Sequence, residues 1–470
     1  MMRPILRRST QSLSIPILAA LLLLALPARA QKLPTLTEAL EFLQANYVEP
    51  LDPERLFYNG VLGLRERVPW IEIYFPDVKG GVRLVHQDQE LRIKFENLRK
   101  PKQVAPALTQ VLDLAGGGRG SSGTGGGEYT VINGLLRGLG DPFTVFLTPA
   151  VYGKLARAGD PDMAEVGISV VQDNGFIVVG GVRRSSPAAR AGIEPGERVL
   201  AIDGESTELM SKMEAVAALW GKAGSAISLR LGEPPSSERD VIVVRERGWA
   251  GVVEVRREPG DVLVVRLGTF DRGVAARVAE QLVAEIDKKR VKAVIIDFRE
   301  NPGGFLTEGI ELLERFLPKG VQLARVAGAY EARAESYRSE GRKKQLTSQP
   351  LIVLVDGQSA SVTELCSRAL QVHRRGLLVG RRTFGKGSVQ SLFELSDGSA
   401  LKMTVARYYG PDGRPIDRGI DPDLVVREAE GRDRPLEFAL ALLARTSSSR
   451  LETLRLEGRA LLKSWKQEAK

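Results

Sequence analysis

The side chains with the clearest chemical potential are a serine, a lysine and a glutamine in the C-terminal half of the sequence. Ser361 lies in DGQSASVTEL, where an apolar strand pattern ends and a helical pattern begins. Lys386 and Gln390 lie in TFGKGSVQ. A serine hydroxyl is a weak nucleophile unless a base within hydrogen-bonding reach removes its proton. A lysine among apolar side chains can be this base, because burial disfavours the ammonium form and lowers its pKa.

Ser361 also suits a purely structural role. The run Ser361-Val362-Thr363-Glu364 has the spacing of a capping box, in which the serine and glutamate side chains bond backbone N–H groups at a helix start. The same position favours chemistry, because the free N–H groups and the dipole of the helix stabilise a developing oxyanion. The sequence alone leaves both roles open.

Lys386 is the best candidate base because the histidines are poorly placed. The sequence contains only His86 and His373. His373 lies at the far end of the helix that Ser361 begins, and a dozen helical residues separate two groups by about 18 Å. Gln390, four residues after the lysine, supplies a neutral amide that can orient the amine without restoring its charge.

Glycine-bearing segments need separate interpretation. DFRENPGG, at 297–304, follows an apolar strand pattern, and its glycines allow a backbone N–H to approach a ligand closely; a plain strand-to-helix turn is the alternative. The run at 116–127 is predicted to be a linker. The segment 380–387 only partly matches a phosphate loop, because Gly387 stands where that loop needs serine or threonine.

The elements that must position these residues follow two patterns. From about residue 260, apolar strand patterns alternate with amphipathic helical ones, which predicts an α/β layered core. Residues 161–245 contain five or six short strand patterns and two helical ones, typical of a small β-rich domain. Residues 36–66 and the C-terminal stretch have helical patterns. The predicted fold class is a multidomain mixture of α/β and β structure with a helical N-terminal region.

The first thirty residues have the pattern of a secretory signal peptide. Arginines precede an apolar run at 15–26, and Ala28-Arg29-Ala30 fits a cleavage site. We therefore expect an exported protein, periplasmic in a bacterium. An uncleaved signal anchor is the alternative, and the protein would then be associated with the membrane.

Composition argues against several functions. The net charge of +9 is dispersed along the chain, so the sequence indicates no nucleic-acid partner. Cys366 is the only cysteine, and its apolar surroundings predict a buried side chain. With one thiol and two imidazoles, we expect no metal site, and no motif implies a cofactor.

Together these segments resemble the carboxyl-terminal processing proteases, also called tail-specific proteases. SASVTE is similar to that family's SASASE, TFGKGSVQ to its lysine motif, and DFRENPGG to its DLRNNPGG. The resemblance implies that Ser361 is the nucleophile, Lys386 the general base and Gln390 its partner. It also implies that the N–H groups of Gly304 and Val362 form the oxyanion hole.

Residues 161–245 resemble that family's PDZ domain through SSPAARAGIEPGERVLAIDG. A PDZ groove adds a peptide as an edge strand and holds its terminal carboxylate with loop N–H groups. The resemblance assigns this loop to Gly167, Ile168 and Ser169, where the family usually has Gly-Ile-Gly. Residues 140–149 resemble the family's LDPHS segment without its histidine, whereas 67–127 match no known segment and are interpreted as an insertion.

These interpretations give a domain division and a functional hypothesis. The expected function is a serine endopeptidase that binds substrate C-terminal tails through its PDZ domain and cuts by a Ser/Lys dyad. The alternative is a non-catalytic PDZ scaffold. The expected partners are proteins or peptides with exposed C-termini, and an adaptor or activator protein and a homo-oligomer are left open. The predicted division is 1–30 signal peptide, 31–160 helical N-terminal region with the linker at 116–127, 161–245 PDZ-like domain, 246–430 α/β protease core and 431–470 helical tail.

Overall fold

The computed structural model describes most of the chain after the predicted signal peptide. The signal-peptide prediction for 1–30 and most of the linker predicted at 116–127 lie outside the described residues. Within the described ranges, no helix combines the length and apolar composition that a membrane span requires. These ranges are 33–67, 71–74, 80–115, 126–160, 162–208, 210–232, 237–247, 253–329, 334–341, 343, 345–429, 431–446 and 450–468.

The N-terminal region contains helices, as expected, together with a small antiparallel sheet in the segment that the sequence left unplaced. Gly63 and Gly134 allow two of the helices to touch, since a Cβ on Gly63 would lie 2.6 Å from the Cα of Gly134. Leu84 of the sheet and Leu108 are buried in the same core as these helices, so the segment is part of one hydrophobic unit. The elements are α1 (Pro34–Asn46), α2 (Pro53–Arg67), β1 (Glu72–Tyr74), β2 (Val82–His86), β3 (Gln89–Ile93), α3 (Val104–Leu114), α4 (Gly126–Arg137), β4 (Val145–Leu147) and α5 (Pro149–Ala156).

The β-rich domain has short strands around one apolar core, with the helix α7 lying beside strand β6. Four of its strands form a sheet in the order β12-β11-β8-β9, and β6 pairs with β7. Ser211 caps α7, with its hydroxyl accepting the N–H of Glu214 at 3.2 Å. The elements are β5 (Met163–Ala164), β6 (Ile168–Asp173), β7 (Phe176–Val182), α6 (Pro187–Arg190), β8 (Val199–Ile202), β9 (Glu205–Ser206), α7 (Lys212–Leu219), β10 (Gly221–Lys222), β11 (Ala226–Leu231) and β12 (Arg239–Val244).

The C-terminal half is built on a six-stranded sheet in the order β13-β14-β15-β18-β19-β22, with β13 antiparallel and the other strands parallel. Strands β15 and β18 are buried along their whole length, as expected for a parallel sheet covered on both faces. The strands are β13 (Val253–Glu258), β14 (Val262–Leu267), β15 (Ala293–Asp297), β16 (Gln322–Gly328), β17 (Glu335–Arg338), β18 (Leu351–Val355), β19 (Leu377–Gly380), β20 (Ser388–Glu394), β21 (Ala400–Tyr409) and β22 (Leu424–Val425).

Helices cover both faces of this sheet. Helices α8, α9 and α10 share a core with one face. The C-terminal helices α11 and α12 bury the other face, and the ring of Phe438 packs edge-on against Trp465 at 5.3 Å. The C-terminal stretch therefore belongs to the core layer. These helices are α8 (Val274–Lys288), α9 (Leu306–Glu314), α10 (Val362–Val372), α11 (Arg434–Arg445) and α12 (Leu451–Glu468).

A second sheet joins the domains. Its order is β17-β16-β21-β20, and β4 pairs with β21. Because successive strand residues face opposite sides, Leu401 and Met403 of β21 enter the N-terminal core. Ala400, on the other side of the strand, packs with Ala217 of α7. Strand β21 is therefore in contact with the N-terminal region and with the β-rich domain.

Candidate active site

Ser361 lies on the sharp turn between β18 and α10. Its backbone has φ 59° and ψ −120°, a conformation that costs a non-glycine residue about 1–3 kcal/mol and is typical of functional sites. The N–H of Ser361 is donated to Glu364 Oε2 at 2.8 Å, and the N–H of Glu364 is donated to the carbonyl oxygen of Ser361 at 2.9 Å. The Ser361 side chain makes no capping hydrogen bond, so its hydroxyl is not occupied by the capping role.

The glycines of the DFRENPGG segment lie directly against this turn. A Cβ on Gly303 would come within 2.8 Å of the Cβ of Ser361. Gly304 pairs with Phe270 in a parallel β-bridge. The N–H of Phe270 is donated to the carbonyl oxygen of Gly303, and the N–H of Phe305 is donated to the carbonyl oxygen of Phe270. In this geometry the N–H of Gly304 points away from Phe270. The N–H of Val362 is at the first position of α10, where a helix supplies no partner for it.

Asn301, which the sequence analysis did not single out, holds the glycine segment and the serine turn together. Its side chain is fully buried. Oδ1 accepts the N–H of Gly303 at 2.9 Å and the hydroxyl of Thr363 at 2.8 Å. Nδ2 donates to the carbonyl of Leu267 at 2.8 Å, and the Asn301 carbonyl accepts the N–H of Ala360 at 2.9 Å. These bonds fix the position of the glycines relative to Ser361.

Arg299 anchors the start of the same segment. Its guanidinium, 2% exposed, donates to Asp297 at 2.7 Å and to Asp433 at 2.6 Å. It also pairs with Glu428 at 3.0 Å. Asp433 is the residue that caps α11, so this buried network ties the loop to the C-terminal helices.

Lys386 lies in a desolvated environment. Burial lowers the pKa of its ammonium group, and the nearby charges of Lys402 and Lys212 lower it further, against the opposing effect of Glu364. The Nζ atom lies 5.6 Å from the centroid of the Phe143 ring. The sequence indicates the segment around Phe143 only as a partial family match, because nothing local to it points to an amine nearby.

Glu364 connects the lysine to the serine. Oε2 accepts the N–H of Lys386 at 2.8 Å, the same oxygen that bonds Ser361. Oε1 accepts the hydroxyl of Thr383 at 2.6 Å and the N–H of Gly385 at 2.7 Å. Burial raises the pKa of this carboxyl, and the bonds from these four partners act in the opposite direction. The sequence indicated Glu364 only as part of a capping box.

The predicted dyad is assembled only in part. Among the described residues, no hydrogen bond joins Ser361 Oγ to Lys386 Nζ. Gln390 donates from Nε2 to the hydroxyl of Ser388 at 2.7 Å. The helix α10 is continuous, so His373 lies at its opposite end, and its Nε2 is 2.6 Å from the carbonyl oxygen of Gln322.

The loop predicted to bind carboxylates lies beside the serine turn. Gly167 has φ 89°, and Ser169 Oγ donates to the carbonyl of Gly181 at 3.3 Å. A Cβ on Gly181 would come within 2.5 Å of the side-chain oxygen of Gln358, three residues before the candidate nucleophile. The β-rich domain is therefore packed directly against the segment that carries Ser361.

The free cysteine has no place in this chemistry. Cys366 is fully buried on α10, as predicted, and burial raises the pKa of its thiol. The groups available for chemistry are instead an uncapped serine hydroxyl, a desolvated amine and the backbone N–H groups beside them. This set of groups suits acyl transfer.

Two segments of the chain match models of known protein families. Residues 261–426 match the model of Peptidase family S41, and residues 160–232 match that of the PDZ domain. The fold is thus a peptidase-family core combined with a PDZ domain. The carboxyl-terminal-processing protease of Synechocystis sp. is 34% identical over 308 residues, which are 64% of this chain and 71% of that protein. The chain belongs to the carboxyl-terminal-processing protease family, which confirms the resemblance seen in the sequence.

Two further relatives describe the extent of the similarity. The carboxyl-terminal-processing peptidase 2, chloroplastic, of Arabidopsis thaliana is 35% identical over 311 residues, which are 63% of this chain. The match covers 59% of that relative's own length. The solved structure of the photosystem II D1 C-terminal processing protease has a TM-score of 0.58 and 26% identity. That alignment covers 80% of this chain and 94% of the other, in agreement with the predicted multidomain α/β and β fold.

Proposed function

We propose that the chain is a serine endopeptidase that cuts proteins whose C-terminal tails are captured by its PDZ domain. The observation that carries the proposal is the position of Glu364. One oxygen of its buried carboxylate accepts the backbone N–H groups of both Ser361 and Lys386, each at 2.8 Å. A nucleophile and a base that are distant in sequence are thereby held by one group.

The proposed chemistry is acyl transfer. The neutral amine of Lys386 takes the proton of the Ser361 hydroxyl, and the resulting alkoxide attacks the peptide carbonyl carbon. The N–H groups of Gly304 and Val362 stabilise the negative oxygen. The C–N bond then breaks, and the leaving amine takes the proton from Lys386. Lys386 then takes a proton from water, and the hydroxide attacks the ester carbonyl carbon. The acyl C–O bond breaks, and Lys386 returns the proton to Ser361 Oγ.

We further propose that the described arrangement is a resting state. The serine hydroxyl and the lysine amine are not hydrogen-bonded to each other, and Gln390 is bonded to Ser388. Tail binding at the loop Gly167, Ile168 and Ser169 would shift the PDZ domain relative to the serine turn, against which it packs in the resting state. In the active state, Gln390 then orients the amine of Lys386.

Location and partners are proposals drawn from the sequence. Residues 1–30 are proposed to export the protein to the periplasm of a bacterium, with membrane association if this segment is retained. The substrates are proposed to be proteins with exposed C-termini. An adaptor or activator and a homo-oligomer are further proposals, and the surface of residues 67–127 is where we expect such a partner to bind.

The test compares the mature protein, starting at Gln31, with its Ser361→Ala and Lys386→Ala variants. Each is incubated with an unstructured protein that ends in small apolar residues, and fragments are identified by mass spectrometry. We expect cleavage by the wild type alone. Tail binding without cleavage by any version, even after a tail peptide is added as activator, would contradict the proposal and favour the non-catalytic scaffold.

A further inference from the structure

Three lysines from separate parts of the chain lie together beside the candidate active site. Lys386 precedes β20, Lys402 lies on β21, and Lys212 begins helix α7 of the PDZ domain. The electrostatic interactions that lower the pKa of Lys386 include both other lysines, and that of Lys402 includes Lys212. The positive charges of Lys402 and Lys212 therefore disfavour the ammonium form of Lys386 at the junction of the PDZ domain and the core.

The strand register shows which surface they share. Ala400, two residues before Lys402, packs with Ala217 of α7. Thr404, two residues after it, pairs with Gln390 of β20. Residues two apart on a strand, and residues directly opposite on paired strands, face the same side of a sheet. Lys402 and Thr404 therefore face the space between α7 and the strand that carries Gln390.

Within the described part of the chain, none of the three lysines forms an ion pair. The nearby carboxylate of Glu364 is already occupied by hydrogen bonds from four other groups. Partly buried ammonium groups without a partner are costly, and proteins retain them chiefly where a function requires them.

A second observation points to a missing hydrogen-bond acceptor. The hydroxyl of Thr404 is buried, the residue being 2% exposed, and Oγ1 has no hydrogen-bond partner among the residues that the structure describes. Buried hydroxyls are normally bonded. A hydroxyl donor on the same strand face as the Lys402 ammonium group is a donor set that suits a carboxylate, since each carboxylate oxygen accepts bonds from several donors.

We propose that Lys212, Lys402 and Thr404 form a carboxylate-binding site that selects substrates with an acidic group near the bond to be cut. The inference rests on the proposed peptidase function and adds the chemical class of the substrate. One carboxylate between two ammonium groups leaves a net positive charge, so a neutral Lys386 is still favoured beside the occupied site. Because Lys212 belongs to the PDZ domain and Lys402 to β21, the site lies at the junction of that domain and the core.

The carboxylate has two chemical sources, an acidic side chain or the free C-terminus of the substrate. The experiment therefore uses matched peptides built around the cleavage site of a substrate protein. In one arm, each peptide carries one glutamate at a single position flanking the cut, and its matched partner carries glutamine at the same position. The other arm compares a free-acid C-terminus with its amide. The ratio of kcat/KM between the charged and neutral member of each pair is measured for the wild type and variants.

We expect a wild-type preference of about ten-fold for the charged member in one arm, as for one charge-assisted hydrogen bond. The preference should fall below about two-fold in Lys402→Gln and in Lys212→Gln, and should decrease in Thr404→Val. Lys402→Arg and Lys212→Arg should retain it. The matched control is Lys222→Gln, an exposed PDZ lysine outside this space, which should leave the ratio unchanged. Thermal unfolding verifies that each variant is folded.

Equal cleavage of charged and neutral peptides by the wild type overturns the site while leaving the peptidase function intact. A preference that survives in both folded Lys→Gln variants also overturns it. If the wild type cuts no peptide, the proposed function fails, and the site is judged by binding alone. In that case the affinities of the Ser361→Ala variant for the labelled charged and neutral peptides are measured by fluorescence anisotropy. The charged member of a pair must bind more tightly, and equal affinities overturn the site.

Discussion

The Oε2 atom of Glu364 accepts the backbone N–H of Lys386 at 2.8 Å, across the space between helix α10 and the loop that precedes β20. The same oxygen bonds the N–H of Ser361. This carboxylate is therefore positioned to set the separation of the proposed nucleophile and base, although it reaches neither reacting atom. It acts as a positioning group in the proposed site.

The first prediction concerns Glu364→Gln. The amide keeps the shape of the side chain but turns one acceptor oxygen into a donor, so two of the donors that now bond it lose their acceptor. Each buried donor without a partner costs about 1–3 kcal/mol, and we expect kcat to fall by roughly a hundred-fold with a smaller change in KM. Steady-state kinetics measure both. Glu437→Gln, at an ion pair on α11, is the control, and activity within two-fold of the wild type in Glu364→Gln would exclude the positioning role.

A second prediction links Lys386 to stability. Because burial lowers its pKa in the folded state, the folded protein binds fewer protons than the unfolded one between that lowered value and the ordinary value of 10.5. In this window the free energy of unfolding rises with pH, and below it the buried ammonium destabilises the fold. Lys386→Met removes the cost of burying the ammonium group. It should therefore raise Tm at pH 7 by roughly 2–4 °C for each kcal/mol of that cost, while abolishing cleavage.

Thermal unfolding across pH 6–10 checks this expectation. The difference in Tm between Lys386→Met and the wild type should shrink as the pH rises. Lys222→Met, at an exposed lysine, should show no such trend. A variant that is less stable than the wild type at neutral pH would contradict the desolvated state of Lys386.

The third prediction concerns Gly303→Ala. The new Cβ would lie 2.8 Å from the Cβ of Ser361 and 2.9 Å from the carbonyl oxygen of Ala360, and the backbone has φ 100°. The serine turn must move, and we expect kcat/KM to fall by about a hundred-fold, because displaced catalytic groups lose rate steeply. Gly413 also has a positive φ, of 74°, but an added Cβ there would have no described atom within 4 Å. Gly413→Ala should lose stability without this loss of activity, whereas equal activity losses in both variants would show that backbone strain alone is responsible.

The fourth prediction concerns the ion pair between Arg184 of the PDZ domain and Glu300 of the core. Arg184 Nε lies 2.6 Å from Glu300 Oε1, and its backbone N–H is 3.0 Å from Oε2. The pair holds the PDZ domain against the segment that leads to Gly303. If this is the resting arrangement, Arg184→Met should raise the basal cleavage of peptides without a PDZ-binding tail by about two- to five-fold, as expected for a partly exposed pair.

The peptidase assay without tail peptide measures this effect. The Arg184→Met, Glu300→Gln double variant should resemble the more active single variant, because both changes remove the same contact. Arg190→Met removes an ion pair with Glu246, the residue that directly follows the PDZ domain, and should not change the basal rate. Lower basal activity in Arg184→Met would mean that the docked arrangement is the active one.

Much of the architecture was predictable because its signals are local. The strands β14, β15 and β18 are almost entirely apolar, with Arg266 and Asp297 as the exceptions, so their burial follows largely from composition. The sheet of β1, β2 and β3 was harder to predict, since its strands are short and only β2 has a clear pattern. These strands are stabilised by packing against helices that lie far away in the sequence.

The sequence by itself determined the family, the order of strands and helices, and the candidates Ser361 and Lys386, because these depend on residue types at short spacing. The tertiary structure decided that Glu364 bonds both segments, that Asn301 fixes the glycines, and that the charge of Lys212 acts on Lys402. Such contacts join residues that no local pattern relates. They exist only because packing of the apolar faces brings separate elements together, and the burial that follows desolvates the lysines.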